Sequence, residues 1–518
     1  MAVESHFDCK EKEYFLGGLK VTYITPFPRE DPPPNLHQVV LNYPDEVLPS
    51  KILNMENILS DKPNINDLDK MLDFIFNVFE HALRHENVQK LMTDQNENFD
   101  VAVIEWLYGE VSAGFAALFQ CPLIWSSSLD PHWLILQLVD EAANPSYVPD
   151  ILSNNLPPFT FSQRVQELWT QISTSMTMKS FDKKYTALYN EVFVPAGNRK
   201  GILMPPYEEV KYNASLVISN SHVSLGEPVR LPQNFIPVGG YHINTKPKPL
   251  PKVINAVHGD PPFRRSHQCM ADHLVKDRIL GKREDLQKLM DDARNGVIYF
   301  SMGSNLKSKD LPDKMKRDFL EMFGQLNQTV IWKFEDALSG LPKNVHILKW
   351  APQQSILAHP NCILFITHGG LLSTTETVHF GVPIVGIPVF ADQFINVDKS
   401  VSRGFAKRVD LSHETPKRLK VAIHEVIGDP SYREKVKYLS LVYHDRPVPP
   451  GRMLVHWVEH AVKTRGAPHL RSRALSTPWY QKTYLDLATL VAVVTFGLYI
   501  TAKHLFKSKF MTHDKKNQ

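Results

Sequence analysis

The sequence predicts an α/β protein with two doubly wound parallel sheets and a single membrane-crossing helix near its end. Three observations carry this. Short apolar runs alternate with helical periodicities in two separate stretches, the pattern of strand, helix and parallel strand. The 518 residues exceed what one hydrophobic core fills, so two lobes with a cleft between them are expected. The run LATLVAVVTFGLYITA, Leu487 to Ala502, holds no charge and is long enough for a short span.

In the first stretch, KVTYIT (Lys20 to Thr25) reads as a buried strand that ends at the proline-rich PFPREDPPP. Asn66 to Met92 has apolar residues at helical spacing. NFDVAVIEW, with its core from Phe99 to Trp106, reads as a strand, VSAGFAALF as a helix and CPLIWSS as the next strand. The second stretch repeats the order: GVIYFSMGS, a helix from Asp313 to Phe323, TVIWKF, NVHILKW, a helix near Ser355 to Leu357, CILFITHGG, a helix from Ser373 to His379, and GVPIVGIPVF. Between them, Lys252 to Arg283 is basic and lacks periodicity in its first half, which marks an irregular insert. Its His258, His267, Cys269 and His273 are spaced too irregularly for a metal site. The expected divisions are therefore 1–251, an insert 252–283, 284–480, a span 484–503 and a tail 504–518.

Composition is that of a globular protein, 43% hydrophobic and 22% charged. The net charge of +3 is concentrated: the insert and the segment from Lys503 onward each carry +4, which leaves −5 on the rest and gives a nucleic-acid partner no electrostatic support. Four cysteines form no CxxC pair and signal neither a disulfide framework nor zinc. Tyr480, Tyr484 and Tyr499 flank or end the apolar run as interfacial anchors, and the five lysines beyond it mark the cytoplasmic side, which places the bulk of the chain in the lumen. The terminal KKNQ resembles a dilysine retrieval signal of the endoplasmic reticulum. The sequons at Asn213 and Asn327 agree with a lumenal body. MAVESHFDCKEKEY, by contrast, has no apolar core of a signal peptide, so the first exon is read as absent or replaced.

Neither G-x-G-x-x-G nor a P-loop occurs. Instead Phe365-Ile366-Thr367-His368-Gly369-Gly370 closes a strand in glycines and LLSTTETVHFG opens a helix. A helix N-terminus with glycines beside it suits a diphosphate, because N–H groups and the positive dipole end point at the ligand.

The whole run WAPQQSILAHPNCILFITHGGLLSTTETVHFGVPIVGIPVFADQ, Trp350 to Gln393, resembles the donor-binding signature of the UDP-glycosyltransferases, closest to the membrane-bound insect branch. The likeness runs from about Leu19 to Pro251 and again from Glu284 to Phe506. It implies the GT-B fold, two facing Rossmann-like domains, and inverting, metal-independent transfer with no cofactor, the UDP-sugar being a co-substrate. It also implies residue roles. Trp350 would stack on uracil, Gln353 bond the nucleoside, and Glu376 accept both ribose hydroxyls. His368 with the Gly369 and Gly370 amides would meet the diphosphate, with Gly303 and Ser304 of FSMGSN as a second phosphate loop. Asp392 and Gln393 would bind sugar hydroxyls. The acceptor, a small lipophilic alcohol or phenol, would sit near Pro131 to Trp169, and the sugar would be glucose. A homo-oligomer is left open.

The family's base is a histidine after its first strand, oriented by a carboxylate. Glu105, at the end of FDVAVIE, fits the carboxylate. For the histidine only 19 residues precede Lys20, fewer than a strand and its crossover need. His6, in Ser5-His6-Phe7, mimics the family's Ser-His pair but lies among charges and close to the next strand. A second reading is thus a non-catalytic or regulatory variant without the base. A third is a tail-anchored cytosolic UDP-sugar-binding protein.

Overall fold

The computed structural model describes residues 19–29, 31–43, 59, 68–153, 155–226, 228–244, 250, 254–255, 283–304 and 306–514. His6 lies outside them, as do His258, His267, Cys269 and His273. Two compact units are present, Met1–Leu470 and Arg471–Gln518.

In the larger unit the first half supplies β1 (Val21–Thr25), β2 (Leu36–Val40), β3 (Ala102–Glu105), β4 (Leu123–Ser127), β5 (Ala214–Ser219) and β6 (Phe235–Pro237). β1 and β2 pair in parallel, and β3-β4-β5-β6 form a separate parallel sheet. A doubly wound sheet has the order 3-2-1-4-5-6. β3 to β6 follow one another in chain order, as the right half of that order does, while β1 and β2 form a parallel pair of their own. The helical stretch begun at Asn66 becomes two helices, Leu68–Arg84 and Glu86–Thr93. They break at His85, whose side chain accepts the Asn87 N–H as an N-cap.

The sequence patterns predicted no helix at Phe161–Lys200, which forms one of 40 residues. It starts with a capping box at Thr160 and Gln163 and ends at Gly201 in the left-handed conformation. Only its second half is sunk in the core, through Phe181, Tyr185, Tyr189 and Phe193; Phe161, Trp169 and Met176 of the first half are exposed.

Two short strands, β7 (Ile254–Asn255) and β8 (Arg283–Glu284), pair antiparallel and bring the two ends of the insert side by side. The second half then forms β9 (Val297–Ser301), β10 (Thr329–Lys333), β11 (Val345–Leu348), β12 (Cys362–Thr367), β13 (Ile384–Gly386) and β14 (Ala406–Arg408). They make one six-stranded parallel sheet of order β11-β10-β9-β12-β13-β14, the complete doubly wound order. Its strands are near-continuous Val, Ile and Phe because helices cover both faces.

The helix Pro450–Lys463 departs from the expected division at 284–480. Leu454, Val458 and Ala461 pack on Ile124, Leu216 and Ile218 of the first lobe's sheet, so the chain returns to the first lobe after building the second. In the smaller unit, the helix Leu485–Asp514 contains a stretch, Leu485–Leu505, long and apolar enough to cross a membrane, with a mean hydropathy of 1.8.

Candidate functional site

The carboxyl ends of β9 and β12 meet at the point where the strand order reverses, the position where ligands bind in open α/β sheets. Gly303, after β9, and Gly369, after β12, both have a φ of +84°, in the left-handed region that favours glycine. His368 sits between the two loops. A Cβ placed on Gly303 would lie 2.6 Å from its Cε1, and one on Gly370 would lie 2.7 Å from its Nε2. The glycines therefore let two backbones close on one imidazole at the start of the helix Leu371–Phe380. Ser304 follows Gly303 on the same turn, half-buried. The Gly369 amide is already engaged, donating to the Thr367 hydroxyl at 3.3 Å.

One turn and a half along that helix, Glu376 is buried at 6% exposure yet carries a carboxylate. Its two oxygens accept from amide side chains at the start of the helix Gln353–Ala358: Gln353 Nε2 at 2.6 Å on Oε2 and Gln354 Nε2 at 2.9 Å on Oε1. Gln353 is held further by donation to Ser373 Oγ and by the Tyr299 hydroxyl, which donates to its Oε1. Trp350, three residues earlier, leaves 38% of its surface open, and Lys333 Nζ lies 5.4 Å from its ring centroid. The structure thus gathers Gly303, Ser304, Trp350, Gln353, His368, Gly369, Gly370 and Glu376 at one end of the sheet.

Asp392 and Gln393 begin the helix Gln393–Ser402, after Ala391, a non-glycine residue at φ +53°. Asp392 Oδ2 accepts from Asn396 Nδ2 at 2.7 Å, and burial pushes its carboxyl up to about 6. The Gln393 carbonyl is taken by the amides of Val389 and Phe390, so only its N–H₂ end is left for a hydroxyl.

Across the cleft the first lobe offers Glu105. It is buried and accepts from the Ser126 hydroxyl at 2.7 Å, from the Ser128 amide at 3.0 Å and from the Ser128 hydroxyl. Burial outweighs these donors and raises the carboxyl to about 7. Serine donors, not an imidazole, occupy this carboxylate among the described residues.

Two histidines that the sequence did not single out stand at the lobe boundary. His132 is 3% exposed, neither of its ring nitrogens has a partner among the described residues, and burial lowers its pKa to about 3. It lines a small cavity with Asp130, Asp150, Asp392, Asn396 and Lys399, and Lys399 Nζ bonds Asp130 Oδ2 at 2.8 Å across the lobes. His242 faces Glu376 from the crossover segment. Neither belongs to a spaced motif, so nothing in the sequence marked them. The sequon asparagines Asn213 and Asn327 are both exposed.

Two doubly wound lobes with glycine loops, a buried carboxylate and an open indole at the switch point define a nucleotide-binding transferase architecture. The sequence model described as UDP-glucoronosyl and UDP-glucosyl transferase matches residues 21–259 and 281–518, and the chain belongs to that family. Residues 260–280 fall outside the match and lie within the insert. A UDP-glucosyltransferase 2 of Dactylopius coccus is 31% identical over 496 residues, covering 95% of this chain and 87% of that one. A UDP-glucuronosyltransferase 2B7 of Homo sapiens is 31% identical over 417 residues, 80% and 71% of the two chains. Among solved structures, a glycotransferase of kitacinnamycin superposes with a TM-score of 0.51 at 18% identity, covering 87% and 94%, and shares the GT-B fold. The protein is a UDP-glycosyltransferase, which moves a sugar from a UDP-sugar donor to an acceptor.

Proposed function

We propose that this chain transfers glucose from UDP-glucose, with inversion and without a metal, to a hydroxyl of a small lipophilic acceptor, from a body lying in the lumen of the endoplasmic reticulum and anchored by the helix Leu485–Asp514. The observation that carries the donor reading is Glu376: a carboxylate buried among amide donors beside an open indole is costly unless a partner with hydroxyls uses it. In this reading Trp350 stacks on uracil, Gln353 turns to the nucleoside, and Glu376 accepts the ribose hydroxyls. His368, between Gly303 and Gly370, meets the diphosphate with the first amides of the helix Leu371–Phe380, and Ser304 and the Gly369 loop support it. Asp392 and Gln393 hold the sugar. The departing UDP gains its stabilisation from these fixed dipoles. Glucose is supported by the Dactylopius coccus relative named as a glucosyltransferase. The acceptor pocket in this reading draws on Pro131 to Trp169, and the supporting observation is that Pro131, His132 and Asp150 line a small cavity together with Asp392. The exposed Asn213 and Asn327 would be glycosylated there, and the lysines of 504–518 would face the cytoplasm.

The test is calorimetry of the full chain with UDP in EDTA. Binding should survive chelation, and His368→Ala should weaken it by about 1.5 to 3 kcal/mol, the range of a hydrogen bond to a charged group. Loss of UDP binding on chelation alone overturns the metal-free reading.

A further inference from the structure

Next to the proposed nucleotide site, the first lobe reaches Glu376 through His242. Asn220 follows β5 and is fully buried, with its own N–H bonded to Ser127 O at 2.8 Å. Its side-chain oxygen is identified by what it accepts: the Gly240 backbone N–H, at 2.7 Å, can only donate. The other end of that amide is therefore the N–H₂, and it lies 2.9 Å from His242 Nδ1. Nδ1 must accept, so the ring hydrogen sits on Nε2. Nε2 lies 3.7 Å from Glu376 Oε1, beyond hydrogen-bond length but within electrostatic reach, with the two side chains at 1% and 8% exposure. The same segment is clamped to the second lobe by Gln354, whose Nε2 donates to His242 O at 3.3 Å and whose Oε1 accepts the Asn244 N–H at 2.9 Å.

We propose that His242, locked by Asn220 as its Nε2–H tautomer, is a positioning residue that holds Glu376 for the nucleotide ribose and so ties the first lobe to nucleotide recognition. A carboxylate has about four lone-pair positions, of which the two glutamines take two. When Gln353 turns to the nucleoside, Oε2 is released. Gln354 and the His242 N–H then keep Oε1 on the first-lobe side, and the freed positions accept hydroxyls. An N–H aimed at a carboxylate in a dry site is worth more than one in water, so the contact tightens as the lobes close. This rests on the reading of Glu376 as the ribose acceptor, and the experiment separates the two.

The measurement is the ratio of dissociation constants for 2′-deoxy-UDP and UDP, by calorimetry on the full chain. The native chain should prefer UDP by roughly tenfold, the value of one such hydrogen bond. Glu376→Gln should bring the ratio near one, and His242→Ala should do the same while Trp350-dependent binding of 2′-deoxy-UDP is kept. His242→Gln, which retains an N–H on a side chain of similar reach, should restore part of the preference. It also serves as the readable variant if His242→Ala does not fold. A ratio unchanged in Glu376→Gln overturns the ribose reading itself. A ratio that collapses in Glu376→Gln but stays native in His242→Ala, or a ratio in His242→Gln no higher than in Glu376→Gln, overturns the role of His242 alone.

Discussion

Single residues in this protein hold charge where water has been removed, and Glu105 shows the consequence most directly. Its carboxyl is raised to about 7 by burial, above the ordinary 4.5, even with three donors on it. The folded protein therefore retains a proton that the unfolded chain releases. Between about pH 4.5 and pH 7 the native state binds more protons than the unfolded one, so this group's contribution to stability falls as pH rises. Replacing Glu105 with Gln removes that slope. Melting temperatures of both proteins across about pH 5 to 8 should diverge, with the variant gaining relative to the native chain as pH rises; parallel curves would mean that Glu105 titrates normally. The role implied for Glu105 by the family, orienting an imidazole as an anion, is available only once this proton has left.

Elements differ in how far the sequence announced them, and the reason is local. Five of the six strands of the second lobe were legible because runs such as Val297–Ser301, Thr329–Lys333 and Cys362–Thr367 are short, apolar and bounded by glycine, proline and asparagine, whereas β14, Ala406–Arg408, is three residues long with two charges and gives no such signal. The clustering of Gly303, His368 and Gly370 was legible with them, since they meet through strand ends that the order of the motif already fixed. The helix Phe161–Lys200 was not legible as a unit, because its apolar stripe is buried only from Phe181 onward, while Phe161, Trp169 and Met176 leave the other half without a one-sided pattern. His132 and His242 were beyond reach for another reason: their surroundings come from residues more than a hundred positions away, such as Glu376 and Lys399. The insert was legible from its composition, and the structure adds a geometric reason to expect it to be dispensable. Asn255 stands opposite Arg283 in an antiparallel pair, so a tight two-residue turn spans the same gap. Excision of 256–282 with an Asn-Gly junction should leave a single cooperative melt at the native temperature. A broadened or lost transition would show that the segment is part of the folded lobe.

For the molecule as a whole, polar contacts join the lobes beside the cavity at His132. Lys399 Nζ and Asp130 Oδ2, 2.8 Å apart at 9% and 16% exposure, form an ion pair that joins the helix Gln393–Ser402 to the loop after β4. Arg403 Nη2 donates to Gly226 O at 2.6 Å beside it. Removing one member of the pair strands the other in a partly dry site. Asp130→Asn or Lys399→Met alone should therefore cost roughly 1.5 to 3 kcal/mol in denaturant unfolding. The double variant should cost less than the sum of the two, because it leaves no lone charge. Strict additivity would mean that the pair does not couple the lobes.

The return of the helix Pro450–Lys463 to the first lobe has a mechanical consequence. The chain passes between the lobes twice, once after β6 and once after the helix Pro430–His444, and the two passages touch. Tyr443 donates its hydroxyl to Gly239 O at 3.3 Å, and Arg446 Nη1 donates to the same oxygen at 2.7 Å. Gly240 beside them has no room for a Cβ, which would fall 1.6 Å from the Tyr443 hydroxyl. Two covalent crossings stapled together act as the spine of a book rather than as a swivel. Opening about that spine is allowed, whereas twisting one cover against the other would shear both crossings. The two faces across the cleft are thus kept in register by the same contacts that staple the crossings.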